Sequence, residues 1–178
     1  MAWTSPMTAI AGSVFTASQF NTFVRDNLAE TAPAKATTPG SFFATSATNQ
    51  IAERIPNASV NLTPDTTTST SYTDLDGGAG PSLSITTGVA CLVIISAAVQ
   101  NSTTFSARMT YDISGATSRT GADNRGIASF GAASVGNNLG VTVLEQGLTP
   151  GVNIFTGKYR VAGGTGSFNS RRIQVVPF

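Results

Sequence analysis

A chain of 178 residues holds one ordinary domain and an appendage, and its formal net charge of +1 excludes a sequence-independent nucleic-acid binder, which needs clustered cations. With no histidine and one cysteine, Ser-His-Asp and Cys-His catalysis and the usual zinc sites have no carriers. Charged residues make up 11% of the chain, against roughly 25% in soluble domains, so Thr, Ser, Asn and Gly must form the surface. That suits a subunit packed among neighbours, where each buried charge would need a partner.

Along the chain, the first residues show neither a basic stretch nor a long apolar core, so no signal peptide is expected. The first strong local pattern is Phe15-Thr16-Ala17-Ser18-Gln19-Phe20. Thr16 and Gln19 stand at capping-box spacing, and Phe15 and Phe20 at the spacing of a hydrophobic staple. A helix over about 17–29 is expected next, with Phe20, Phe23, Val24 and Leu28 on one stripe. Thr31 and Pro33 end it. A helix this short is marginal alone, so its stripe needs a surface to cover it. The Ala/Thr/Pro run 32–40 reads as an extended linker, and 41–56 as a short hairpin around a polar turn at 46–49. Phe42 and Phe43 of that hairpin join Phe15, Phe20, Phe23, Val24 and Leu28 as candidate docking residues, because a lone hairpin is ordered mainly by what it packs against.

Two stretches of this arm resemble known proteins. Thr37 to Pro56, with its Gly, its Phe-Phe-Ala-Thr and its closing Ala-Glu-Arg-Ile-Pro, resembles a short module of bacteriophage fibre and appendage proteins. Ala2-Trp3-Thr4, Val14-Phe15-Thr16-Ala17-Ser18-Gln19-Phe20-Asn21-Thr22 and Val24-Arg25-Asp26-Asn27-Leu28 look like the N-terminus of minor tail or head-fibre proteins of tailed phages. Together they cover about a third of the chain. The resemblance implies a structural protein of the virion, homotrimeric and attached through residues 1–60.

From Leu62 the composition changes. Residues 63–68 read as a polar hinge, and eight strand candidates come after it at 71–75, 82–86, 90–100, 104–113, 126–130, 139–148, 153–161 and 167–176, separated by Gly-rich turns. Strands at that spacing point to an antiparallel β-sandwich, most simply a jelly roll. The expected organisation is therefore mainly β: an arm at 1–61 with one short amphipathic helix, then a sandwich at 62–178. The closing strands, from Gly147-Leu148-Thr149-Pro150-Gly151 to Arg171-Arg172-Ile173-Gln174-Val175, look like those of small trimeric jelly rolls of the tumour-necrosis-factor/C1q shape.

Within 90–100 the run Cys91 to Ala98 is apolar at successive positions, as in a strand covered on both faces. In so small a sandwich the second cover comes most economically from a symmetry mate, which nominates Cys91, Val93, Ile95 and Ala97 as a trimer interface. Cys91 itself reads as a buried, inert thiol. The apolar run from Val89 to Val99 is too short to span a bilayer, so no membrane partner is expected.

Chemistry-bearing patterns are sparse. The glycine pairs lack the context of a phosphate loop. Asp74 and Asp76, before Gly77-Gly78, read as turn-forming aspartates, with calcium held together with Asp65 as the sharper alternative. Arg119, Asp123, Asn124 and Arg125 occupy the least regular loop and form the candidate ligand-contact site. Arg171 and Arg172 read either as partners of a carboxylate such as Glu145 across chains or as solvated edge charges. The residues thus point to a non-enzymatic protein without metal or cofactor, and the resemblance implies a place in the virion. Capsid decoration or head fibre and minor tail protein stand nearly equal. Its partners would be copies of itself and other virion proteins, with a host surface as a further candidate. The alternative is a receptor- or carbohydrate-binding module, which should display an aromatic platform. Trp3, the single tryptophan, lies outside the β domain.

Overall fold

A computed structural model describes residues 3–178, so Ala2 of the Ala2-Trp3-Thr4 opening lies outside the described residues. The chain divides into two compact units, the second running from Pro56 to Pro177. The boundary thus falls earlier than the expected 61/62, because residues 57–61 already form a strand of the sandwich.

In the first unit the helix spans 17–29, as its cap and stop signals predict. Thr16 accepts from the Gln19 amide at 3.2 Å while Gln19 Oε1 accepts from the Thr16 amide at 2.9 Å, closing the capping box. The Phe15 and Phe20 rings meet edge-to-face at 6.1 Å, forming the staple. The helix α1 is not uniform, however. Regular turns at Ala17–Phe20 and Asp26–Ala29 flank a π-helical turn at Asn21–Arg25. The extra residue in that turn rotates the later side chains about the helix axis and breaks the expected stripe; Phe20, before the turn, and Leu28, after it, are exposed, while Phe23 and Val24 are half-buried. The linker is also less extended than expected: Ala32–Lys35 forms one further helical turn, α2, with Pro33 in its first positions, where a missing N–H has no effect. Strands β1 (Phe42–Ala47) and β2 (Gln50–Arg54) pair as the expected hairpin, with Asn49 at φ 56° in its turn.

The second unit is an antiparallel sandwich. Its strands are β3 (Asn57–Asn61), β4 (Asp65–Thr67), β5 (Ser82–Thr87), β6 (Ala90–Asn101), β7 (Ala107–Gly115), β8 (Ile127–Ser129), β9 (Asn137–Gln146), β10 (Gly151–Val161) and β11 (Gly166–Pro177). One sheet has the order β3-β11-β6-β9, with β4 beside β3 on the same edge of β11; the other has the order β5-β10-β7-β8. From β5 onward every connection crosses between the sheets except β7 to β8. Crossing strands of this kind make a jelly roll. With β3 and β4 taken as one interrupted edge, the sandwich has eight strand positions; with the hairpin the described residues form eleven strands. The expected strand at 71–75 is reduced to single bridges, Thr73 with Tyr159 and Leu75 with Gly78, while β3 and β4 lie in or just before the stretch expected to be a polar hinge.

The core lies between the sheets, and Val93, Ile95, Met109, Tyr111, Phe155, Tyr159, Phe168 and Ile173 are fully buried in it. Strict alternation supplies these side chains. A bulge between Asn169 and Arg172, with Ser170 at φ 50°, resets the alternation of β11. Phe168 points in before the bulge, and Arg171, Ile173 and Val175 point in after it.

Candidate functional site

The nominated trimer residues are not on a surface. In β6, Cys91, Val93, Ile95 and Ala97 alternate into the core of the chain's own sandwich, so they cannot face another copy. Burial, with the Glu145 charge in support, pushes the Cys91 thiol up to about 12, which removes it from thiolate chemistry near neutral pH. The doubly apolar character of the strand is real but belongs to the other parity. Leu92, Ile94 and Ala98 stand half-exposed on the outer face. Cross-strand rows extend that face. Leu92 lies between Val176 and Leu144, and Ile94 between Gln174 and Thr142, while Val60 pairs with Arg172 next to Ser96. Val60 and Leu144 are exposed, and Arg172 is the one charged residue among these. The flank beside this face is open too. Strand β9 pairs only with β6 among the described residues, and β8, at the edge of the opposite sheet, is three residues long. The inward-facing Leu139, Val141 and Val143 of β9 therefore stay half-exposed.

The loop nominated for ligand contact is largely occupied by internal pairs. Glu145, 3% exposed, accepts from Tyr111 Oη at 2.6 Å, Arg119 Nη1 at 2.7 Å and Arg125 Nη1 at 3.0 Å. Burial opposes the charge of this carboxyl, but the Tyr111 and Arg125 hydrogen bonds, with Arg119, hold it below the ordinary carboxylate range. Burial, then the bond to Glu145, pushes the Tyr111 hydroxyl up. Arg119 also donates to the Gln146 and Gly147 carbonyls, and Arg125 to that of Thr120. Asp123 accepts from Arg160 at 2.7 Å, Arg108 at 3.0 Å and Tyr72 Oη at 2.7 Å; Arg160 first, then Tyr72, holds its carboxyl down. Arg119, Asp123 and Arg125 thus fasten the loop to the sandwich. Asn124 sits with Asp123 and Arg125 in a short 3-10 turn.

Glu145 is satisfied within its own chain, so the cross-chain bridge to Arg171 or Arg172 does not form. Arg171 instead turns into the interior, where its Nη2 donates to the Thr63 carbonyl at 2.8 Å and its Nη1 lies 3.9 Å from Asp65. Sequence reading misses Glu145 and Arg171 as buried ions. A lone glutamate in an alternating apolar strand, at an inward parity, is the available signal for the first; the bulge hides the second.

The aspartates divide their roles without converging. Asp74 pairs with Lys158 at 2.7 Å, Asp76 accepts from Thr66, and Asp65 accepts from the Gly77 amide. Among the described residues no cluster of three or more His, Cys, Asp or Glu is placed to hold a metal ion, and no helix is long and apolar enough to cross a membrane.

The docking residues of the arm divide by exposure. Phe15, Phe20 and Leu28 are exposed, while Phe23, Val24, Phe42 and Phe43 are half-buried. Ile10 and Val14, which the helical stripe does not include, are 72% and 81% exposed. Two polar side chains organise this unit. Asn27 accepts from the Thr4 amide at 2.8 Å and donates to the Thr4 carbonyl at 2.9 Å and the Phe23 carbonyl at 3.1 Å. Glu53 accepts from Ser41 Oγ at 2.6 Å, the Thr37 hydroxyl, and the Thr37 and Thr38 amides, bonds that hold its carboxyl down to about 2.

No protein-family model matches the chain, and no curated protein matches it. Among solved structures, 14 chains match. One is the isomalto-dextranase of Arthrobacter globiformis T6 complexed with panose, at 15% identity and a TM-score of 0.34. The match covers 78% of this chain and 24% of the enzyme's, and so weak a likeness carries no argument about activity.

Proposed function

We propose that this chain is a non-enzymatic structural protein of a tailed-phage virion, a homotrimer attached through residues up to Ile55, with its jelly roll displayed on the particle as a head fibre, capsid decoration or minor tail protein. The observation that carries this reading is the exposure of Ile10, Val14, Phe15, Phe20 and Leu28 in one short unit. Covering a fully exposed side chain of this kind gains roughly 1.5–3 kcal/mol, so a partner protein that covers these half- to four-fifths-exposed residues would recover a corresponding share for each. The arm's resemblance to phage appendage proteins points to a virion component as that partner.

For self-association, a three-fold ring requires two different patches of the chain to meet. The outer face around Leu92, Ile94 and Val60 and the open flank along β9 are two such patches, both apolar. The test is the solution mass of the full chain by light scattering, beside Ile94→Arg and Leu144→Arg. A trimer that falls to folded monomer in either variant is expected. A monomeric parent chain, or a trimer untouched by both substitutions, sinks the assembly reading. Antibody labelling of virions then separates a head from a tail position, and absence of label from the particle removes the virion reading.

A further inference from the structure

The end of the sandwich away from Pro56 is made of three turns, 102–106, 130–136 and 162–165. Asn101 pairs with Gly166, Val99 with Asn137 and Ala107 with Val161, which brings the turns together. The buried Asn101 is their hub. Its Nδ2 donates to the Gly163 carbonyl at 3.0 Å, its Oδ1 accepts from the Thr103 amide at 2.9 Å, and its carbonyl accepts from the Ser134 amide at 2.7 Å. Ser102 and Thr165 lock the remaining gap reciprocally, at 2.9 Å in each direction.

On these fastened turns Phe105 is 56% and Phe130 65% exposed. Beside Phe130, Arg108 and Arg160 are cross-strand partners, a like-charge pair that would repel unless balanced. Among the described residues their one counter-ion is Asp123, and the Arg108 guanidinium lies 5.2 Å from the centroid of the Phe130 ring. The segments 101–110, 128–138 and 159–168 contain no Asp or Glu. The end therefore combines two exposed aromatic rings, one on Gly163 and one against the Arg108 guanidinium, with two arginines that share one aspartate and turns rich in hydroxyl groups.

We propose that this end of the sandwich binds an anionic glycan, with sugar rings on Phe105 and Phe130 and their carboxylate or phosphate groups met by Arg108 and Arg160. Charge complementarity selects an acidic ligand, since guanidinium forks bind carboxylate and phosphate alike. The spacing of apolar groups selects a glycan over a protein surface. A stable protein interface needs about 800 Å² from each partner with a packed apolar centre, whereas here the large apolar side chains are set apart by Ser, Thr and Gly. The negative face of an aromatic ring suits the polarised C–H face of a sugar. Asp123 takes Nε and Nη2 of Arg160 and Nη1 of Arg108, and Tyr72 backs Arg160, so the remaining Nη1 of Arg160 and Nη2 of Arg108 are the preorganised donors left to an anion. That this end points away from the particle rests on the attachment reading above; the binding does not.

The test titrates the full chain with polygalacturonate, a poly(glycerol phosphate) teichoic acid, dextran and poly-L-glutamate, at low and high salt. Salt-sensitive binding to one or both acidic glycans is expected, and the uronate and phosphate arms tell which acid is read. Phe105→Ser and Phe130→Ser should each weaken it about tenfold at unchanged melting temperature, because both rings are already exposed. Three results overturn the proposal: no binding to either acidic glycan, equal affinity for poly-L-glutamate, or binding indifferent to both Phe substitutions. A monomer that binds would break only the trimer reading, and a trimer that does not bind would break only this one.

Discussion

Between Trp3 and Ile55 the buried side chains among the described residues are polar, Asn27 and Glu30, whereas the buried apolar side chains all lie between Leu75 and Val175. The sandwich is held by area removed from water, a non-directional force that needs only correct alternation. The first unit is held by directional bonds: the Asn27 clamp on Thr4, the Glu53 carboxylate inside the 37–41 turn, and the capping box. A unit ordered this way has a defined shape but little apolar burial of its own. Its stability should be low and local, and should rise when a partner covers its exposed residues.

The contrast breaks first, and hardest, in the core. Phe155→Ala removes a fully buried ring beside Tyr111 and should destabilise the sandwich by about 3–5 kcal/mol, read as a shift in denaturant midpoint. Hydrogen exchange at Thr4 should stay unchanged; loss of protection there as well would mean that the two units share one cooperative transition. Next comes Glu145→Gln, which leaves Arg119 and Arg125 facing a neutral amide. About 3 kcal/mol is expected, the low end for a broken buried pair because Arg119 is 33% exposed. Protease nicking within 116–125 should appear at the same time.

These elements also show what a sequence reveals. The helix, its staple and the hairpin are legible because their signals are local, and strands β5 to β11 because alternation and glycine turns repeat. Strands β3 and β4 are illegible, since a polar edge strand is defined by what β11 offers it rather than by its own pattern. The parity of β6 is equally hidden: Cys91 and Leu92 differ little as side chains, and only the register with β9 and β11 decides which one faces in. The 116–125 loop shows its charges but not their partners, which come from Glu145, Arg108 and Arg160, distant in sequence.

Smaller effects sharpen the contrast from the other side. Asn27→Ala should lower protection of the Thr4 amide by about 1–3 kcal/mol while leaving the melting of the sandwich unmoved, because the clamp is confined to the first unit. Acid should act on that unit as well. Glu53 has a folded pKa of about 2, below the ordinary 4.5, so its contribution is complete above about pH 4.5 and is lost as pH falls towards 2. The amide resonances of Thr37 and Thr38 should move over that window; titration with a midpoint near the ordinary 4.5 would show that the 37–41 turn does not hold the carboxylate in solution.

Strand β11 is made after all the others, yet it lies inside its sheet, with β3 and β4 on one side and β6 on the other. During synthesis β3, β4 and β6 must wait for it as open strands, with bare backbone edges, while every bond that holds the helix and hairpin of the first unit is available once residue 55 has emerged. The growing chain therefore carries its first unit before it has a complete sandwich. Interruption of translation before residue 166 would leave a product that holds the first unit and cannot complete a sandwich. The open sheet of such a fragment is an aggregation-prone surface of the kind that quality control recognises.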